Sequence, residues 1–166
     1  MRSRSRRDRQ RGRFRALLLL FTPLCVTVAA AAETATVTRV VDGDTLVVEI
    51  EGRDERVRLI GVDTPETVHP KKPVEYFGKE ASAFTKQMAE GETVRLEEDA
   101  ETATRDRYGR LLRYVYLPDG RLLNAEIIAQ DYGFAYTRFP FSKMEEFRNL
   151  ERKAREDSRG LWAERE

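Results

Sequence analysis

Val40-Val41-Asp42-Gly43-Asp44-Thr45-Leu46-Val47-Val48-Glu49-Ile50 is the stretch on which the fold turns. Two β-branched, apolar runs flank Asp-Gly-Asp, the composition of a tight hairpin. Upstream, Thr36 to Val41 alternates in part between polar and apolar residues, as a half-buried strand does. Downstream, Gly52-Arg53-Asp54 makes a second turn into Arg56-Val57-Arg58-Leu59-Ile60-Gly61-Val62. Three neighbouring strands of a meander are therefore expected from Thr36 to Val62. Asp63 to Tyr76 holds three prolines and reads as a loop.

Helical spacing follows. Ala81, Phe84, Thr85 and Met88 fall on one face, and Gly91 closes the segment. Thr93 to Leu96 and Leu111 to Tyr116 read as further strands, and Leu117-Pro118-Asp119-Gly120 as a tight turn. A short helix is expected over Asn124 to Gln130. Ser142 with Glu145 has the form of a capping box for a last helix, with Met144, Phe147, Leu150 and Ala154 on one face. Gly160 would end that helix and let Leu161-Trp162 pack back on the core. About five short strands with helices packed on them describe an α+β domain built on a small β-barrel.

The first 32 of the 166 residues differ in chemistry from the rest. Eight arginines stand against Asp8, an uncharged apolar stretch runs from Ala16 to Ala32, and Ala29-Ala30-Ala31-Ala32 precedes Glu33. That is the pattern of a signal peptide, so residues 33–166 are expected to be secreted or periplasmic. A retained membrane anchor with the domain outside is the alternative, although the apolar run is short for a bilayer span and contains Pro23. The leader carries +7, which leaves −6 for the remainder of a chain whose formal charge is +1. An acidic domain does not coat a polyanion loosely. It can still hold a focused phosphate site, because Arg105, Arg107, Arg110 and Arg113 are segregated from the acidic run Glu97-Glu98-Asp99.

Cys25 is the one cysteine and lies in the leader; His69 is the one histidine. Disulfide staples, thiolate metal sites and multi-histidine zinc sites are thereby excluded from the domain, as is a Ser–His relay at any other position. On a polar loop, His69 is expected to be solvated rather than to act as a base. What remains is oxygen chemistry. If the three strands are neighbours, Asp44 and Asp63 can approach each other. Two carboxylates brought together repel unless a cation lies between them, and hard oxygen ligands favour calcium or magnesium. The Thr64 carbonyl is a further candidate ligand. Arg58, on the strand leading to Asp63, and Arg110, after Arg107-Tyr108-Gly109, are planar cations able to hold two phosphate oxygens. Each residue alone has an ordinary turn or strand reading; their combination suggests a phosphodiester site.

Three blocks carry a closer likeness: Val41-Asp42-Gly43-Asp44-Thr45, then Val57-Arg58-Leu59-Ile60-Gly61-Val62-Asp63-Thr64-Pro65-Glu66-Thr67, then Asp106-Arg107-Tyr108-Gly109-Arg110. In this order they resemble the signature blocks of the staphylococcal nuclease (thermonuclease) family, and the likeness runs from about Thr38 to Trp162. The resemblance implies a five-stranded OB-fold β-barrel with three packed α-helices. It also implies calcium-dependent (Ca2+) hydrolysis of DNA and RNA to 3′-phosphate products. Single strands are expected to be preferred, because an opened base fits better between tyrosines, and a monomer is expected. Carried over, Asp44, Asp63 and the Thr64 carbonyl would ligate the ion, with Asp42 behind it. Glu66 would orient or deprotonate the attacking water, and Arg58 and Arg110 would grip the phosphate. Tyr108 and Tyr136 would bound the nucleotide pocket, with Lys71 and Lys72 near a terminal phosphate or the strand. Pro73 and Tyr76-Phe77 depart from the family pattern. A catalytically silent nucleic-acid-binding module of the same fold, or a calcium-stabilised envelope module, stands as the rival reading.

Overall fold

The computed structural model describes residues 33–67 and 73–163. The leader, His69, Lys71 and Lys72 lie outside the described residues, so the readings placed on them are not addressed by the structure.

Three antiparallel strands open the fold: β1 (Glu33–Asp42), β2 (Thr45–Ile50) and β3 (Arg53–Leu59). Thr45 sits opposite both Asp42 and Arg58, so the hairpin turn and the end of β3 are neighbours. Further along come β5 (Thr93–Glu97) and β6 (Leu111–Tyr116). β6 pairs antiparallel with β5 and parallel with β3, and β5 returns to β1, which closes a five-stranded barrel in the order β1-β2-β3-β6-β5. Irregularities in the register of β1, between Val37 and Arg39 and between Val40 and Asp42, let it bend and serve both neighbours. Val37, Leu46, Val48, Val57, Leu59, Val94, Leu96 and Val115 fill the interior. This is the expected α+β class and OB-type barrel.

Three helices cover it: α1 (Gly78–Ala89), α2 (Leu123–Ala129) and α3 (Met144–Asp157). Ala81, Thr85 and Ala89 are the buried face of α1. α3 buries Phe147 and Ala154, with Met144 and Leu150 packed at the edge of the core. Asn124 of α2, completely buried, donates to Ile60 O at 2.9 Å and accepts from Val115 N at 3.0 Å. One amide side chain thus ties β6 to the end of β3.

Three expectations need correction. The strand read through to Val62 stops at Leu59. Gly61 turns the chain at φ 70°, in a spot where a Cβ would lie 2.6 Å from the Phe141 ring. After that turn, β4 (Val62–Asp63) pairs antiparallel with β7 (Phe134–Ala135) in a separate two-stranded ribbon, with Asp63 opposite Phe134. Ser142 does not cap α3. Its N–H and hydroxyl are drawn to the buried Asp99 carboxylate, at 2.7 and 2.6 Å, so Lys143 precedes the helix without a side-chain cap. Ser158 at φ 51°, rather than Gly160, ends α3; Gly160–Trp162 forms a 3₁₀ turn that buries Leu161 and sets Trp162 edge-on to Phe134.

Candidate active site

The hairpin between β1 and β2 is built to come close to the Asp63 segment. A Cβ on Gly43 would lie 2.6 Å from Thr64 Oγ1, so only glycine permits the approach. Thr85 of α1 donates to Gly43 O at 2.7 Å from within the core and pins the turn from below. Asp44 is buried beside it. Its Oδ1 accepts from the Thr45 hydroxyl at 2.9 Å, and its Oδ2 from Thr64 N at 3.1 Å.

Arg58 organises the rest. Its Nη2 lies 3.0 Å from Asp44 Oδ2 and 3.0 Å from Asp63 Oδ1. Its Nη1 donates to Leu59 O at 3.1 Å and Val62 O at 2.5 Å, on either side of the Gly61 turn. One guanidinium therefore staples the turn and joins the two carboxylates. Asp44 is nearly closed off while half of the Asp63 side chain faces solvent, at 10% and 49% exposure. Burial pushes the Asp63 carboxyl above its ordinary value against the pull of Arg58, and the charges of Asp44, Glu75 and Glu66 add to the rise.

Behind this pair, Asp42 accepts from the Thr67 hydroxyl at 2.7 Å and from Gly43 N at 2.9 Å. Burial pushes Asp42 up to about 6 against those two hydrogen bonds, and the charge of Asp44 and a hydrogen bond with Glu66 contribute to the rise. Glu66 is placed by its backbone. Its N–H donates to Glu75 Oε2 at 3.1 Å, and its carbonyl accepts from Glu75 N at 2.9 Å.

Arg110 comes from the connection before β6. Asp106 holds it at three points: Nε and Nη2 each lie 2.7 Å from Oδ2, and the Arg110 N–H donates to Oδ1 at 3.0 Å. Arg110 Nη1 donates in turn to Thr45 Oγ1 at 3.4 Å. Since the Thr45 hydroxyl donates to Asp44, a continuous chain runs from Arg110 through Thr45 and Asp44 to Arg58.

Beside this chain opens a cleft of about 700 Å³, lined by Arg58, Asp63, Tyr108, Arg110 and Tyr136 among others. Tyr108 stands out at 67% exposure under the guanidinium groups of Arg107 and Arg110. Tyr136 is fixed through its N–H to Gly61 O at 2.9 Å. Asp44 adjoins the cleft through Arg58, and Thr64 through its N–H to Asp44; neither they nor Asp42 and Glu66 line it. Sequence reasoning gave no role to Thr45, Thr67 or Asp106. The carboxylate four residues before Arg110 was the available signal for the last of these.

The donor set suits a hard cation. Two carboxylate oxygens converge on one positively charged nitrogen, and the neighbouring Thr64 hydroxyl oxygen is buried without a hydrogen-bond partner. Among the described residues no three acidic, histidine or cysteine side chains form a ready cage. A bound ion here would keep water on its remaining positions, as calcium and magnesium tolerate.

Comparison with known proteins reaches the same region of the chain. The family model described as staphylococcal nuclease homologue matches residues 56–164, which include Arg58, Asp63, Glu66 and Arg110. A thermonuclease of Staphylococcus intermedius is 50% identical over 107 residues, 64% of this chain and 61% of that protein. A thermonuclease of Staphylococcus hyicus is 40% identical over 137 residues, covering 81% of this chain and 78% of the relative. Endonuclease YncB of Bacillus subtilis is 36% identical over 130 residues, 77% of this chain and 61% of its own length. The chain thus spans less than two thirds of the first and third of these relatives.

Proposed function

This chain belongs to the staphylococcal nuclease family, and on that premise we propose that it is a calcium-dependent nuclease cleaving DNA and RNA to 3′-phosphate products. The observation that carries the reading is Arg58 Nη2, 3.0 Å from both Asp44 and Asp63 and linked through Asp44 and Thr45 to Arg110. Paired carboxylates and paired guanidiniums in one connected group suit a cation and a phosphodiester together.

Asp44, Asp63 and the Thr64 carbonyl would hold the ion, which when bound supplies positive charge against the phosphate and eases ionisation of nearby water. The chain's own residues do the rest. Glu66 orients the attacking water and takes its proton. The water oxygen bonds to phosphorus as the bond to the 5′ oxygen breaks, leaving a 3′-phosphate and a 5′-hydroxyl. Arg58 and Arg110 donate to the phosphate oxygens whose charge grows in the transition state. Tyr108 and Tyr136 receive an unpaired base, which favours single strands over duplex and needs one copy of the chain only.

The leader supports export, to the periplasm or the medium, with an N-terminal anchor as the variant of that reading. Extracellular calcium sites work at affinities of about 10⁻⁴–10⁻³ M, so export and a lightly caged site agree. The test is digestion of single-stranded DNA, RNA and duplex DNA by the purified protein with calcium, with magnesium, and with a calcium chelator. Calcium-restricted cleavage, fastest on single strands, is expected. The absence of calcium-dependent cleavage from neutral to alkaline pH would overturn the proposal.

A further inference from the structure

Between β7 and α3 the chain runs Tyr136-Thr137-Arg138-Phe139-Pro140-Phe141 along the same cleft. Both ends of this segment are anchored. Tyr136 N donates to Gly61 O, and Phe141 is buried with its ring centroid 5.4 Å from that of Phe147. Between the anchors Phe139 is held out at 61% exposure. A lone exposed apolar ring is unremarkable on a protein surface. This one has company: of the four large apolar side chains exposed among the described residues, Tyr108 and Phe139 both line the cleft.

Each of these two rings carries an arginine. Arg107 stacks on Tyr108 at 4.7 Å from the ring centroid, and Arg138 on Phe139 at 5.8 Å. The other arginines of the cleft are already committed to carboxylates: Arg58 to Asp44 and Asp63, Arg105 to Glu55, Arg110 to Asp106. Arg107 and Arg138 have no carboxylate partner among the described residues. Among the described residues these two are the cations of the cleft not held by a carboxylate, although Arg107 also donates to the Tyr108 hydroxyl. An exposed π-face beside a free guanidinium is the pairing that holds single-stranded nucleic acid, the ring taking a base and the cation the adjoining phosphate.

We propose that Phe139 and Arg138 form a second nucleotide subsite, which stacks the base of a nucleotide flanking the cleaved one and pairs its phosphate. The inference rests on the nuclease reading of the cleft and adds a residue pair that sets substrate length and strandedness. A stacked duplex cannot offer that base, so the subsite serves unpaired strands.

Three readings test it. The first is steady-state cleavage by wild type, Phe139→Leu and Phe139→Tyr of a short oligothymidylate and of a thymidine nitrophenyl phosphodiester too small to span two subsites. Phe139→Leu is expected to raise KM for the oligonucleotide about tenfold, the loss of one base–aromatic stack, while kcat holds and KM for the small ester does not move. Phe139→Tyr should restore the wild-type KM. In the second, Arg138→Ala should make the dependence of oligothymidylate affinity on salt shallower by about 0.7 in log–log slope. In the third, Phe139→Trp places an indole at the subsite, and oligothymidylate should quench its emission beyond the change seen from Trp162 in the wild type. Equal oligonucleotide KM for wild type and Phe139→Leu, or an unquenched Phe139→Trp, would overturn the subsite even if the protein is an active nuclease. If the wild type cleaves neither substrate, the nuclease reading falls, and the indole titration still decides whether a strand stacks on position 139.

Discussion

Arg58 and Arg110 are restrained in different ways, and their substitutions should read differently. Arg58 also holds the backbone on both sides of Gly61, so removing it would disturb the position of Asp63 as well as the phosphate. Arg110 is braced by one carboxylate, lies over the Tyr108 ring and makes a single long hydrogen bond onward to Thr45. Arg110→Ala should therefore lower turnover by about 10²–10³-fold with little change in melting temperature, the loss expected of one transition-state donor. Glu66→Gln should cost about 10²–10⁴-fold in kcat, the range for a positioned acid–base group. Near-wild-type rates for either variant in calcium would refute the assigned role. Asp106→Asn keeps the shape of the brace and removes its charge; a fall in kcat approaching 10²-fold, as for a misplaced catalytic group, is expected with the arginine itself still in place. At this scale the sequence showed the chemical types and hid their couplings. Asp44, Asp63 and Arg58 could be picked out because an oxygen-only, histidine-free domain has few ways to handle phosphate. That Thr45 bridges Asp44 to Arg110, or that Thr67 holds Asp42, depends on strand register and a loop return that no local pattern encodes.

Strands and helices with clear periodicity were legible, and their junctions were not. β2, β5, β6, α1 and α2 fall where apolar, β-branched runs or helical segments were read, because those residues are drawn into a single core. The break at Gly61 was obscured by an apolar run that continues through Val62, and β7 is too short to leave a pattern. Gly61→Ala should cost about 3 kcal/mol or more, joining a left-handed backbone penalty to a clash with the Phe141 ring; chemical denaturation measures it. Ser142 looked like a cap and is instead one of several donors to Asp99, with Tyr114 at 2.6 Å and Glu101 N at 2.7 Å. Burial raises the Asp99 carboxyl, and the hydrogen bonds from Ser142, Tyr114 and Glu101 outweigh it, so the group is held below its ordinary 3.8. A depressed carboxylate stabilises the fold above its unfolded value and loses that contribution as pH falls through the folded one. Asp99→Asn should thus destabilise the protein by about 3 kcal/mol at neutral pH. The gap to wild type should narrow below about pH 4, as seen in urea midpoints across pH; a gap independent of pH would contradict the assignment.

For the molecule as a whole, a cation held only by the folded state must raise its stability. Calcium at a hundred times its dissociation constant should add about 2.7 kcal/mol, visible as a rise in melting temperature that Asp44→Asn abolishes and a chelator reverses. No such rise would count against the ion site independently of any assay for cleavage. The two-residue ribbon that carries Asp63 also bears on how such an activity comes into being. Asp44, Arg58, Glu66 and Arg110 all precede the strand that fixes Asp63, since its partner is Phe134. A chain halted during synthesis between Arg110 and Phe134 would contain every residue proposed to hold the ion or act on the phosphate being cleaved. It would still lack Phe134, the backbone partner of Asp63. On the proposed reading, the site would therefore stay incomplete until Phe134 has been made.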